Sequence, residues 1–325
     1  MPEFDLIELI RSRCLALRDD VVLGIGDDCA ILEPAPGHEL LVSTDTLVEG
    51  VHFLPDSDPW ALGWKALAVN LSDLAAMGAE PAWALLSLTL PCADAAFVTA
   101  FADGFGRLAA EHRVALVGGD ITSGPLAVGV VVQGFAPRGT ALRRSGARAG
   151  DAVYVTGTLG DGLAGLRCLQ ATAGSALAHA SAEAREAVIG RVTRPTPQLA
   201  AGRVLRGLAS ACIDTSDGIL ADLGHVARRS GVGIEVLASS LPASPALCAL
   251  YAGDERLAVQ AGGGDDYQLA FTASPEREAE IVRRLAAVEC AVARIGRVVE
   301  GRGVRLLDDG GAEIVLEHRG WEHFA

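Results

Sequence analysis

Lysine is almost absent from this chain: Lys65 is the only one, and the other Lys and Arg residues, 27 in total with it, are arginines. Lys65 lies in Gly-Trp-Lys-Ala, which lacks both the Gly-rich turn and the Ser or Thr of a Walker A loop. The Gly-rich loop and the Val-Ala-Ile-Lys strand of protein kinases are also missing. If the chain binds a nucleotide, it therefore uses neither of these common ATP-binding motifs.

Other scarcities exclude further classes of protein. The net charge is −14 and no basic stripe is visible, which argues against a nucleic-acid partner. No apolar run is long enough to predict a transmembrane helix, and the N-terminus lacks the basic and apolar segments of a signal peptide. The seven cysteines are scattered and never spaced as C-x-x-C, which predicts reduced thiols in a cytoplasmic protein rather than a zinc site.

The chain is long and apolar enough to form two domains, with 325 residues of which 50% are hydrophobic. Apolar periodicity predicts strands and helices in both halves, so the fold class is α/β or α+β. A segment rich in Arg, Gly and Ala over 137–150 predicts a boundary. It divides the chain into an N-terminal domain, 1–137, and a C-terminal domain, 138–325.

Several regular elements are predicted next to polar motifs. Strands are expected over 39–45, 82–90, 114–117, 126–135, 151–156, 211–214 and 268–272. Helices are expected over 4–17, 60–77, 95–111, 159–169 and 275–287.

Five acidic segments share one predicted design, a small or Gly-rich turn beside a strand. They are Gly26-Asp27-Asp28, Ser43-Thr44-Asp45, Gly118-Gly119-Asp120, Asp214-Thr215-Ser216-Asp217-Gly218 and Gly263-Gly264-Asp265-Asp266. A single such loop is more often an ordinary turn or helix cap. Five of them, together with Asp73 in an apolar helix, favour a site for Mg²⁺, which prefers oxygen ligands and is usually shared with phosphates.

Three other residues have both a functional and a structural interpretation. His52 follows the Ser-Thr-Asp segment, and it is equally well explained as a structural histidine. Arg144 lies in the predicted linker, where it either contacts a phosphate or is solvated. Trp321, near the C-terminus, either stacks on an aromatic ligand or docks on the fold, and the second interpretation is favoured by the residues alone.

Taken together, these motifs resemble the thiamine-monophosphate kinase family, which is related to aminoimidazole ribonucleotide synthetase and selenophosphate synthetase. The matching segments follow the family's order, and they include GIGDDCAIL (24–32), STDTLVEGVHF (43–53), KALAVNLSDLAAMGAEP (65–81), GGDIT (118–122), DTSDGILADLGH (214–225), GGDDYQL (263–269) and GWEHFA (320–325). The resemblance implies two mixed α/β domains. The N-terminal domain would bind ATP and Mg²⁺ and form a β-barrel with a second subunit, and the C-terminal domain would be a mixed sheet flanked by helices.

The resemblance also implies an activity: Mg²⁺-assisted, in-line transfer of phosphate from ATP to thiamine monophosphate, the last step of thiamine diphosphate biosynthesis, by a cytoplasmic homodimer. By position, the metal ligands would be Asp28, Ser43, Thr44, Asp45, Asp73, Asp120, Asp214 and Asp217. The ATP contacts would be Gly119, Asp120, Arg144 and Ser216, and the substrate contacts would be His52, Asp265 and Trp321. This chain departs from the family at two positions, because Asp265 and Gln268 stand where the family usually has Glu.

Two alternatives stay open at this level. One is a related ATP-dependent enzyme that activates an amide or a selenium nucleophile, although the reactive Cys or selenocysteine loop of selenophosphate chemistry is not seen. The other is a protein that senses a divalent metal or a nucleotide without turnover. His52 and Trp321, as residues for a second ligand, argue against a sensor.

Overall fold

The computed structural model describes residues 2–14 and 17–322, and they form two compact units. The first unit holds the residues up to Leu74 together with Ala79–Thr140, and the second holds Ala75–Gly78 and the residues from Ala141 onward. Strands and helices are mixed in both units, which confirms the predicted class. Within the described ranges, none of the helices is long and apolar enough to cross a membrane.

The N-terminal elements are, in chain order, α1 (Glu3–Arg13), β1 (Val21–Leu23), β2 (Ile31–Leu32), β3 (His38–Val48), α2 (Pro59–Ala76), β4 (Glu80–Leu90), α3 (Ala95–His112), β5 (Ala115–Ser123) and β6 (Ala127–Pro137). Four of the strands form a sheet in the order β3-β6-β4-β5. The side chains that β6 presents to one face of this sheet, Val128, Val130 and Val132, are fully buried. On the opposite face, Leu40 and Val42 of β3 are 48% and 60% exposed.

Helices α2 and α3 pack with their backbones in close contact. A Cβ atom on Gly63 of α2 would lie 2.0 Å from the carbonyl oxygen of Phe101, and one on Gly104 of α3 would lie 1.8 Å from that of Trp60. The Asp94 side chain caps α3 by accepting from the backbone N–H groups of Ala96 and Phe97. The close approach of α2 and α3 leaves no room for a side chain at Gly63 or at Gly104.

The C-terminal elements are β7 (Ala152–Thr156), α4 (Asp161–Leu169), α5 (Ala182–Thr193), α6 (Leu199–Leu205), β8 (Ala211–Asp214), α7 (Ile219–Ser230), β9 (Gly233–Leu237), α8 (Pro245–Leu250), α9 (Gly253–Gly262), β10 (Leu269–Ala273), α10 (Glu278–Ala286), β11 (Val292–Val299) and β12 (Gly303–Leu307). They build a six-stranded sheet in the order β12-β9-β11-β7-β10-β8. Only β12 and β9 are parallel, so the sheet is mixed, as predicted. Strands β7 and β10 are buried along their whole length.

Two of the predicted acidic loops are in fact strand interiors. Strand β3 pairs with β6 up to Val48, so Ser43-Thr44-Asp45 lies within a continuous ladder. Strand β5 pairs with β4 up to Ser123, so Gly119 and Asp120 also lie within a strand. The prediction ended the first strand at Asp45 and the second at Val117, whereas the strands continue to Val48 and Ser123. Polar side chains fit there because both strands are sheet edges, where one backbone edge is open.

Other boundaries differ less. Helix α1 ends at Arg13, and part of its predicted extension, residues 15 and 16, lies outside the described residues. Strand β9 and helices α8 and α9 have no counterpart in the prediction. These short elements carry few periodic residues, and their order comes from packing on the second unit's core, to which Ile234 and Val236 of β9 belong.

The α2–α3 contact generates a stability prediction. Gly104→Ala should lower the free energy of unfolding by about 2–3 kcal/mol, since its methyl group would overlap the Trp60 carbonyl oxygen. Gly190→Ala in α5 is the matched control, because a Cβ there would meet only an arginine side-chain atom at 3.7 Å. The control should be neutral or more stable, since Ala favours helix more than Gly. Urea unfolding measures both, and equal stability of the two variants would contradict the packing described.

Candidate active site

Polar side chains of α2 are bonded to β3 in the first unit. The Ser43 hydroxyl donates to Asp73 Oδ2 at 2.5 Å. The backbone N–H of Asp45 donates to Asn70 Oδ1 at 2.9 Å, and Asn70 itself is 1% exposed. The Asn70 amide in turn donates to the Ala66 carbonyl oxygen. This α2–β3 junction brings together three predicted metal ligands, Ser43, Asp45 and Asp73.

Asn70 has a function in this junction that the sequence did not reveal. A buried amide in an apolar helix must satisfy its polar atoms, and Asn70 does so by fixing the strand that carries Asp45. The spacing of Asn70 and Asp73 by three residues, which places both on one helix face, was the available signal.

Asp120 lies on another part of the same sheet. Its register partner is Ser87 of β4, which pairs with Gly129 of β6, which pairs with Thr46 of β3. Three strand spacings separate Asp120 from Thr46, a distance of about 14 Å along the sheet. Within one chain, the sheet therefore does not place Asp120 beside Asp45. Thr44 points to the face opposite Ser43, because side chains alternate, and its hydroxyl donates to the Val130 carbonyl oxygen.

A cavity of about 900 Å³ lies beside β5 in the first unit. Its walls include the acidic loop with Asp28, the segment with Gly119 and Asp120, and apolar side chains such as Leu85 and Leu116. The volume is in the range of small-molecule sites, and the mixed lining suits a ligand with an apolar and a phosphorylated end. At Gly119 a Cβ would lie 1.9 Å from the Leu86 carbonyl oxygen, so only glycine fits there.

His52 lies in the turn that follows β3. Its Nδ1 accepts from the backbone N–H of Val48 at 3.0 Å, which fixes the ring within the turn. The buried Lys65 ammonium donates to the His52 carbonyl oxygen at 3.4 Å. The single lysine of the chain thus supports the backbone of this turn.

In the second unit, β8 ends at Asp214 and is followed by the loop with Ser216 and Asp217. Asp222, which is 2% exposed, accepts from the backbone N–H groups of Asp217 and Gly218 at 3.3 and 3.1 Å. Burial raises the pKa of the Asp222 carboxyl well above its ordinary value, and the carboxylates of Asp214 and Asp217 raise it further. Three carboxylates close enough to repel one another favour a cation at this loop.

Sequence reasoning did not identify Asp222. Asp222 lies four residues after Gly218, in the first turn of α7, where a carboxylate can accept hydrogen bonds from backbone N–H groups. Its function is to orient the loop that carries Asp217.

Trp321 contacts this same loop. Its backbone N–H donates to the Asp217 carbonyl oxygen at 2.9 Å. The indole is 57% exposed, and it lines a cavity of about 590 Å³ together with Leu220, Gly224 and Arg319. Residues 323–325 of the predicted terminal motif lie outside the described residues. The structure therefore places an exposed aromatic side chain beside a predicted metal ligand.

Of the other predicted contacts, Asp265 borders this loop and Arg144 lies beside α7. The backbone N–H of Asp265 donates to the Ser216 carbonyl oxygen at 2.9 Å. Arg144 lies close enough to α7 that its charge helps lower the pKa of His225, although burial of the imidazole is the larger cause. In the second unit, Asp214, Ser216, Asp217, Asp265 and Trp321 are thus neighbours through the backbone contacts of one loop.

The donor set fits Mg²⁺ in chemistry, since carboxylate and hydroxyl oxygens are its preferred ligands. Among the residues described, no three Asp, Glu, His or Cys side chains converge as a complete metal site. This is compatible with Mg²⁺, which is usually bound through one or two carboxylates and keeps waters or phosphates as its other ligands.

Asp266 has a different environment from its neighbour Asp265. Its carboxylate accepts from the backbone N–H groups of Gly160 and Gly162 at 2.6 and 2.9 Å, at the start of α4. Burial raises the pKa of the Asp266 carboxyl to about 8, and the two N–H groups oppose that rise. The nearby Asp161 and Asp265 carboxylates add to it. Asp266 is a capping residue inside the protein.

This pKa predicts a pH-dependent stability. The folded chain keeps the Asp266 proton up to about pH 8, whereas the unfolded chain loses it near pH 4. Folding therefore takes up a proton between these values, and the contribution of Asp266 to stability falls as pH rises from about 4 to about 8. Asp266→Asn cannot ionise. Scanning calorimetry gives the unfolding temperature of both proteins. The unfolding temperature of the unmodified chain minus that of the variant should fall from pH 5 to pH 8, and a constant difference would contradict the assignment.

Comparison with known proteins identifies the family. Residues 26–136 match the N-terminal domain and residues 148–309 the C-terminal domain of AIR synthase related proteins. The thiamine-monophosphate kinase of Escherichia coli (strain K12) is 44% identical over 324 residues, which cover 99% of this chain and 98% of the relative. The thiamine-monophosphate kinase of Aquifex aeolicus is 40% identical over 328 residues, with 99% and 98% covered.

Solved structures agree with these relatives. The crystal structure of thiamine-monophosphate kinase from Stenotrophomonas maltophilia K279a has a TM-score of 0.86 at 46% identity, covering 96% of this chain and 98% of that one. AaThiL complexed with AMPPCP and TMP has a TM-score of 0.77 at 38% identity, covering 99% and 97%. Escherichia coli HypE, at 22% identity and a TM-score of 0.78, shares the fold. This chain belongs to the thiamine-monophosphate kinase family.

Proposed function

We propose that this chain transfers the γ-phosphoryl group of ATP to the phosphate of thiamine monophosphate, giving thiamine diphosphate and ADP. The observation that carries the proposal is the bond between the Trp321 backbone and Asp217, which sets an exposed indole beside a carboxylate loop. A ligand suited to both has an aromatic ring system and a phosphate group. The relative AaThiL, which is complexed with AMPPCP and TMP, supports this choice.

Mg²⁺, as several ions, would be held by oxygen ligands from the predicted Asp, Ser and Thr residues: Asp28, Ser43, Thr44, Asp45, Asp73, Asp120, Asp214 and Asp217. When bound, it neutralises phosphate oxygens that otherwise repel one another during transfer. The Ser43–Asp73 and Asn70–Asp45 bonds hold two of these carboxylate segments in place beforehand, so less reordering is needed when the substrates bind.

The ATP contacts would be Gly119, Asp120, Arg144 and Ser216. Gly119 lets the backbone approach a phosphate, and the Arg144 guanidinium matches phosphate geometry with parallel donors. His52, Asp265 and Trp321 would contact thiamine monophosphate. The indole would stack on its rings, and the Asp265 carboxylate would face their positive charge.

The reaction needs positioning more than proton transfer. The attacking atom is a phosphate oxygen that is already anionic near neutral pH, so a strong general base is unnecessary. The chain's contribution is to align the two phosphates in line and to exclude water from them.

We assign ATP and Mg²⁺ binding and dimerisation to the N-terminal domain, 1–137, and propose 138–325 as the second domain.

A homodimer would complete this arrangement. In the described part of the chain, β3 and β5 are the edges of the four-stranded sheet, and Leu40 and Val42 are exposed on its open face. Joining β3 of one copy to β5 of another would close the sheets into a barrel and bring the partner subunit's Asp120 towards Asp45.

Sedimentation equilibrium should give a molecular mass twice that of the chain, because two copies form the barrel. The mass of a monomer at enzyme-assay concentrations would contradict the barrel.

We place the enzyme in the cytoplasm. All seven cysteines are free thiols, and Cys14, Cys168 and Cys212 are buried. Burial raises the pKa of the Cys14 thiol to about 12, which keeps it protonated and unreactive. Unpaired thiols in this number are typical of a reducing compartment.

A coupled ADP-release assay tests the activity. With thiamine monophosphate, ADP should appear only when Mg²⁺ is present, and thiamine diphosphate should form in equal amount. Removing Mg²⁺ with a chelator should abolish release, and adding it back should restore it. ADP release with an aminoimidazole precursor or selenide, but not with thiamine monophosphate, would replace this proposal with a related activity. ATP binding without any turnover would favour a sensor.

A further inference from the structure

The segment that carries Asp265 has an unusual backbone. Asp265 and Tyr267 both adopt left-handed conformations, with φ of 65° and 49°. Such conformations cost on the order of 1–3 kcal/mol for a residue with a side chain, and they persist only where surrounding contacts enforce them. Two of them within three residues indicate a segment held in a specific shape.

Contacts on both sides enforce this shape. The backbone N–H groups of Asp265 and Tyr267 donate to the carbonyl oxygens of Ser216 and Thr215 at 2.9 and 2.8 Å. On the other side, the Asp266 carboxylate is bonded to Gly160 and Gly162, and a Cβ on Gly162 would lie 2.5 Å from the Asp265 carbonyl oxygen. The backbone of Asp265 is therefore fixed before any ligand binds.

Gln268, the second departure from the family pattern, completes the attachment. Its backbone N–H donates to the Thr215 hydroxyl at 3.0 Å. Its side-chain oxygen accepts from the Thr156 hydroxyl at 3.0 Å. An uncharged side chain suits this position, since Gln268 is only 6% exposed and a carboxylate there would be costly to bury.

The Asp265 side chain is oriented by its neighbour two residues on. The Tyr267 hydroxyl donates to Asp265 Oδ1 at 2.8 Å, and the tyrosine is only 7% exposed. A buried phenol ring has few rotamers, so its hydroxyl is a fixed donor. A fixed donor on one carboxylate oxygen restricts rotation of the whole group.

We propose that Tyr267 is a positioning residue for substrate recognition, which holds the Asp265 carboxylate in the orientation that faces the positively charged rings of thiamine monophosphate. The inference rests on the proposed function. Asp265 is one methylene shorter than the Glu usual in the family, so its carboxylate lies close to the backbone. The left-handed backbone and the phenol together determine where that shorter side chain presents its charge.

The test compares Tyr267→Phe with the unmodified chain in steady-state kinetics. The phenylalanine keeps the buried ring and loses only the donor. The KM for thiamine monophosphate should rise roughly threefold to tenfold, which corresponds to the net contribution of one typical hydrogen bond, while the KM for ATP stays within about twofold. Tyr154→Phe is the matched control, because it removes a hydroxyl 3.4 Å from the Glu278 carboxylate in the same unit, and both KM values should stay unchanged.

A double-mutant cycle separates positioning from general stability. In an Asp265→Ala background, Tyr267→Phe should raise the KM for thiamine monophosphate no further, since the carboxylate it orients is gone. The inference is overturned if Tyr267→Phe leaves that KM unchanged, or if it raises the KM equally in both backgrounds. Should Tyr267→Phe not fold, 3-fluorotyrosine at position 267, a stronger donor of similar size, should lower the KM, and an unchanged KM would overturn the inference. If the proposed function itself is wrong, the unmodified chain will not turn over thiamine monophosphate, and this outcome is distinct from an unchanged KM in Tyr267→Phe.

Discussion

Carboxylates that are held close together repel one another, and this repulsion is the constraint on which the loop after β8 in the second unit depends. In the second unit, Asp214, Asp217 and Asp222 are near enough to raise the pKa of the Asp222 carboxyl. Backbone N–H groups offset this repulsion at Asp222, and in the first unit the Ser43 hydroxyl likewise donates to a carboxylate, that of Asp73. The negative charge that these donors leave on the carboxylates favours a bound cation. The arrangement is therefore suited to divalent metal ions, which in turn bind phosphates.

The carboxylates differ in what they do. Asp222 and Asp266 are buried and accept backbone N–H groups, so they shape the loops that carry the ligand-binding residues. Asp45 and Asp120 are exposed on strands, where a ligand can reach them. The residue type alone, which is Asp in all four cases, does not distinguish the two kinds. For Asp266 the difference arises from Gly160 and Gly162, which lie about 100 residues earlier in the chain. For Asp222 it arises from the backbone N–H groups of Asp217 and Gly218, which lie in the preceding loop.

The sequence predicted most long elements, because α2, α3, β4 and β6 have clear apolar periodicity. It was wrong to end these strands at Asp45 and Val117, since a polar residue at a sheet edge does not interrupt the ladder. It could not reveal Asn70 or Tyr267 as positioning residues, because their functions depend on tertiary hydrogen bonds. The family, by contrast, was evident from the order of the motifs, and the comparisons confirm it.

The central claim is that the α2–β3 junction presents Asp45 and Asp73 to a divalent cation. Titration of Mn²⁺ in the presence of AMPPCP, followed by the electron paramagnetic resonance signal of the free ion, tests it most directly. The variant Asp45→Asn, Asp73→Asn should bind Mn²⁺ at least about tenfold more weakly than the unmodified chain, because two oxygen ligands lose their charge. Asp19→Asn, an exposed turn residue of the same unit, should bind as the unmodified chain does. Equal affinity and stoichiometry in all three proteins would contradict the claim.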